Sequence, residues 1–151
     1  MTIEIQPKNT IAFSLTYLGL LPFVVCTILC LFGYTSLPVV GNISSVFMHY
    51  ATVIASFMAG THWGVTISRC LDNTLLLCGS ILTAIAVWLL ASYASFNIAC
   101  IVLSFLFFYC LLMDRFFLQN GLISEAYFQV RVRVTIVVVC ISIMGAPPLW
   151  H

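Results

Sequence analysis

Charge is what this sequence has least of: among 151 residues, five are Lys or Arg and four are Asp or Glu. A soluble domain carries about a quarter charged residues, so this chain could not cover a folded, water-exposed surface. That excludes a soluble globular domain. Lys8, Arg69, Arg115, Arg131 and Arg133 are scattered rather than clustered, which excludes a basic footprint for nucleic acid. Soluble-enzyme signatures are missing as well: there is no Walker loop, GxGxxG, GxSxG or HExxH. No catalytic constellation follows from the residues. The carboxylates Glu4, Asp72, Asp114 and Glu125 all fall at or outside the ends of apolar runs. Acidic residues at mid-membrane and inverted repeats, the marks of many ion-driven transporters, are absent, which leaves a small transporter as a minor alternative.

What the chain has is apolar length. Hydrophobic residues make up 63% and the mean hydropathy is +1.18. Five runs, at about 11–33, 45–68, 74–91, 96–113 and 125–146, each approach the roughly 20 residues that a membrane-crossing helix needs. They are apolar all round, unlike the alternating ten-residue segments of a membrane barrel. The fold expected is therefore all-α: one transmembrane domain over 1–151, a five-helix bundle. The first run is too long for a signal-peptide core and reads as a retained helix. The connector 34–44 holds Pro38, Gly41 and Asn42, a turn composition. The short connector near Ser95 predicts that the third and fourth spans are antiparallel neighbours. The fourth span is expected to end at Asp114-Arg115. Ser124 and Glu125 suit the start of the fifth, and Pro147-Pro148 its stop.

Five spans place all five basic residues on one side and none on the other. The positive-inside rule then predicts the N-terminus inside and the C-terminus outside. The seven cysteines lie in or beside apolar runs and read as small hydrophobes, not as a disulfide or metal framework.

The second span carries the residues with most to say. Ser56, Gly60 and Gly64 form a small-xxx-small series, the spacing that lets helices approach closely in lipid. Thr52, Ser56, Gly60 and Trp63 share one face, and His49 lies one turn further out. This face is expected to be a helix-packing seam. His62 lies about 120° away, roughly 10 Å inside the end of the helix. An ionisable group at that depth faces protein or water, as an interhelical hydrogen bond, a proton carrier or a ligand contact. Two haems on His49 and His62 would need further axial ligands, and the remaining histidine is His151. In the fifth span Arg131 and Arg133 lie about 200° apart, so one snorkels to headgroups while the other faces the bundle near Asp114 or His62. Tyr127 and Phe128 suit an interfacial aromatic belt.

Three stretches carry a resemblance: Tyr17-Leu18-Gly19-Leu20-Leu21-Pro22-Phe23; Tyr50 through Ser56-Phe57 to Gly60-Thr61-His62-Trp63-Gly64; and Tyr127-Phe128-Gln129-Val130-Arg131 with Thr135. Together they resemble the transmembrane protein 69-like family of small bacterial and mitochondrial membrane proteins, whose domain has no assigned function. Arg133 departs from the pattern, which has an apolar residue there. The resemblance implies an inner-membrane location, bacterial or mitochondrial, and no activity.

Taken together, the residues point first to a non-enzymatic accessory, scaffold or assembly component set in the lipid bilayer and packed against other membrane subunits. The alternative is a ligand-binding or redox protein with a quinone, lipid or haem site near His62, Trp63 and Arg131. No particular cofactor and no metal follow from the sequence.

Overall fold

The computed structural model of the chain describes residues 10–145 apart from 40, 70 and 72. The polar start with Lys8, the pair Cys70 and Asp72, the prolines after Gly145 and His151 lie outside the described residues. Six helices and one small hairpin follow in order: α1 (Thr10–Leu18), α2 (Leu21–Leu31), β1 (Ser36–Leu37), β2 (Gly41–Asn42), α3 (Ile43–Ser68), α4 (Thr74–Tyr93), α5 (Phe96–Gln119) and α6 (Glu125–Gly145). Five stretches among the described residues are long and apolar enough to cross a membrane, the first running from Phe13 to Leu31. The outer surface is correspondingly apolar, with Leu82, Phe105 and Ile98 all more than half exposed.

The first span is not one helix. It breaks at Gly19-Leu20, where Pro22 removes a backbone donor and its ring crowds the preceding turn. Lipid offers no replacement partner. The Tyr50 hydroxyl on α3 donates to the Gly19 carbonyl at 2.8 Å, so a neighbouring helix satisfies an acceptor at the break.

Caps define the other ends. Asn42 Oδ1 accepts from the Ser44 amide at 2.8 Å, and Asn73 Oδ1 accepts from Leu75 at 3.1 Å. The Ser124 hydroxyl accepts from the Tyr127 amide at 3.3 Å, the start expected for α6. At the other end of the 34–44 connector, β1 and β2 pair antiparallel, Ser36 with Asn42 and Leu37 with Gly41. Gly41 supplies the positive φ of +82° that an L side chain resists.

The fourth span does not stop at Asp114. Helix α5 continues to Gln119 and is closed by Asn120 and Gly121, the latter at φ +67°. A charge inside a hydrophobic run is an apparent stop only when nothing neutralises it, and here it is neutralised.

Helix α3 is central, packed on α2, α4 and α5, while α6 packs on α5 and touches α1 and α2. Helix α4 rests chiefly on α3 and only lightly on α5, so the short connector near Ser95 joins helices that mostly splay apart. Where α4 does approach α5, Gly79 faces Tyr109, and a Cβ there would collide with the phenol. At the end of the bundle where α3 begins, Phe23, Phe47, Tyr50 and Phe96 meet edge to face with centroids 5.0–5.9 Å apart. The described arginines all lie toward the opposite, basic end.

A buried charge network and the cavity beside it

The inward face of α3 is an alanine seam. Ala51, Ala55 and Ala59 recur every four residues and are essentially inaccessible, and Met48, His62 and Thr66 continue the same buried face. Small residues bring the neighbouring backbones close, which carries packing where lipid supplies no hydrophobic drive between helices. The glycine series points the other way. Gly60 and Gly64 are exposed, and nothing lies within 4 Å of where their Cβ atoms would be. They form no seam with another helix among the described residues. His49 and Trp63 are exposed on that same outward face. Spacing identifies a stripe of small residues but not the side it faces; Ala51, Ala55 and Ala59 were the equally periodic signal.

On the alanine face, His62 Nε2 lies 3.0 Å from Asp114 Oδ1 on α5. With the carboxylate as acceptor, the imidazole donates. Arg131 Nε on α6 donates to the other oxygen, Asp114 Oδ2, at 2.9 Å. All three side chains are nearly inaccessible: His62 and Asp114 are 2% exposed and Arg131 7%. Three helices therefore converge on one carboxylate. The levels match, because each residue lies five or six positions from its helix end, about 7–9 Å along the axis. The Phe117 ring caps the imidazole at 5.6 Å, and the Tyr127 ring lies under the Arg131 guanidinium at 5.9 Å. Arg133 is exposed, so of the two arginines it is Arg131 that faces the bundle. Arg131 Nη2 is buried and has no acceptor among the described residues.

Arg131 also lines a cavity of about 430 Å³ between α1, α2, α3 and α6, with Phe107 of α5 at its back. Its lining along α6 runs from Tyr127 to Val138, about 16 Å of helix. Polar side chains gather toward the network: Tyr127, Arg131, Thr135, Thr61 and Thr16. Toward the other end the walls are Leu20, Phe23, Ile54 and Val138. Leu15 and Phe57 lie on the rim and are 61% and 68% exposed, so the mouth opens sideways, where acyl chains would lie. The cavity therefore has one polar end and a long apolar body.

The structure thus brings His62 and Arg131 together through Asp114, while Trp63 lies on the outward face, away from both network and cavity. Among the described residues, no three His, Cys, Asp or Glu side chains gather as a metal set. No curated protein and no solved structure matches the chain. One family profile does, over residues 8–147, covering the broken first span, the His62–Asp114–Arg131 network and the cavity. The chain belongs to that family, the proteins of unknown function DUF3429.

Proposed function

We propose that the protein is a non-enzymatic, membrane-embedded binding protein for a lipid-soluble amphiphile, which enters sideways from the bilayer and sets its polar end beside Arg131. The observation that carries this reading is a cavity with one polar end, where Arg131 lies in the wall and its buried Nη2 has no partner among the described residues. An unpaired buried donor costs about 1–3 kcal/mol, and an acceptor on a bound molecule would recover it.

Native mass spectrometry of the protein extracted in mild detergent or nanodiscs tests this. A non-covalent lipid-soluble adduct is expected on the wild type. It should be lost from the double variant Asp114→Leu with Arg131→Met, which removes the polar end without leaving an unpaired charge. Wild-type protein that carries no adduct and binds none of a panel of membrane lipids and quinones would refute the reading.

The outward glycine face favours a second reading, an accessory subunit that packs against another membrane protein through Ser56, Gly60 and Gly64. Gly60→Leu and Gly64→Leu should then leave the isolated protein's melting unchanged, because neither side chain meets anything within the chain, yet abolish its co-purification with a partner. Unchanged co-purification would leave that face to lipid.

For orientation, the arginines at one end support the N-terminus inside and the C-terminus outside. The transmembrane protein 69-like motifs support the bacterial inner membrane, or its mitochondrial counterpart. Reporters at Asn42 and Ser95 should read the outer side, and those at Asn73 and Asn120 the inner. The opposite pattern would invert the topology.

A further inference from the structure

Resting on that binding reading, we infer that the ligand's polar end is an uncharged carbonyl acceptor, as in a quinone or an acyl ester, rather than a carboxylate or phosphate. The charge of the site carries the inference. Arg131 is already neutralised by Asp114, through its Nε at 2.9 Å. His62 occupies the remaining carboxylate oxygen at 3.0 Å. The guanidinium and the carboxylate sum to zero. Among the described residues, no other charged side chain lines the cavity. An anion seated there would bring an uncompensated negative charge into a low-dielectric wall, close to the Asp114 carboxylate. That placement is expensive in lipid. A cation would face the guanidinium and is excluded more strongly.

The hydrogen-bonding inventory agrees. The group left over in the network is a donor: the second terminal nitrogen of Arg131 has no acceptor among the described residues, and the half-buried Tyr127 hydroxyl on the same wall can donate as well. Thr61 has already given its proton to the Met58 carbonyl at 2.7 Å. A donor without a partner calls for an acceptor. A carbonyl supplies two lone pairs without charge.

The test uses full-length protein in nanodiscs of zwitterionic lipid and four probes: a decyl-tailed benzoquinone, dioctanoylglycerol, decanoate and decyltrimethylammonium. Binding is read by competition and by the rise in melting temperature. At least one of the quinone and the diacylglycerol should bind, and the tighter of the two identifies the source of the carbonyl. Decanoate at pH 7 should be weaker by on the order of 10-fold or more, and the ammonium should not bind. Asp114→Asn leaves the site with the arginine's charge, so decanoate should gain on the carbonyl probes in that variant. Should Asp114→Asn fail to fold, the wild-type ranking alone decides. Decanoate binding as tightly as the carbonyl probes would overturn the neutral headgroup while leaving the cavity a binding site. Binding of none of the four would overturn both.

Discussion

Asp114→Leu is expected to be the most damaging single substitution in the chain, costing about 3–5 kcal/mol. It leaves the Arg131 guanidinium buried without a carboxylate and strips His62 of its acceptor. The cost comes from those orphaned partners rather than from the strength of the original ion pair. The triple variant His62→Leu, Asp114→Leu, Arg131→Met should therefore regain most of the loss. Replacing a whole buried ionic cluster by apolar side chains of similar volume is often neutral or stabilising. The check is fluorescence-detected size-exclusion melting of wild type, single and triple variants in one detergent. If Asp114→Leu melts like wild type, Arg131 reaches water or headgroups without Asp114, and the network is not structural. His62→Gln should be mild, because an amide can still donate to Asp114, and interhelical hydrogen bonds in membranes average only about 0.6 kcal/mol.

The contrast between singles and triple also suggests why the network exists. If apolar side chains would hold three helices together equally well, stability alone does not require the charges. A carboxylate read by two donors from two other helices instead fixes the rotation and level of α3, α5 and α6 against one another. Apolar helices in lipid lack such a register, since most of their surface resembles the solvent. One consequence of that register is that Arg131 lies in the cavity wall.

Hydropathy made the spans legible, because a helix apolar on all sides at this length has few other homes. The break at Gly19-Leu20 was less visible, since a proline in a membrane helix is tolerated when neighbours satisfy backbone groups around it, and the one that bonds the Gly19 carbonyl, Tyr50, is distant in sequence. The choice between Arg131 and Arg133 was narrowed by helical geometry alone: two residues 200° apart cannot share a face. Asp114 was legible as one partner for a bundle-facing arginine, but its place inside α5 was missed for a physical reason. Charge ends a hydropathy run, but it does not end a helix when opposite charge waits at the same depth. Two clues pointed past it, the turn at Asn120-Gly121 and a bundle-facing arginine that needed a counter-ion. The facing of the glycine stripe was not legible, because alanine and glycine stripes on one helix have equal periodicity and only tertiary packing chooses between them.

Filling the cavity should separate binding from folding. Val134 and Ile54 are half-buried and line the void from opposite helices, so a larger side chain at either can grow into empty space. Val134→Phe and Ile54→Phe are expected to abolish the retained adduct while leaving the melting temperature unchanged or higher. A closed, well-packed core would respond in the opposite way, because overpacking costs about 1–3 kcal/mol. The sign of the stability change therefore reports whether the space is there, and loss of the adduct reports whether it is used. Val137→Phe is the control: Val137 lies on the outward side of α6 and does not line the cavity, so both readouts should stay at wild-type values. If Val134→Phe and Ile54→Phe keep the adduct at wild-type stability, the ligand binds elsewhere. If they unfold the protein, the cavity is smaller than its 430 Å³ implies and Arg131 has no ligand to meet. Network and cavity variants should also differ in kind. Asp114→Leu lowers stability whether or not a ligand is bound, whereas the cavity variants remove binding without lowering stability.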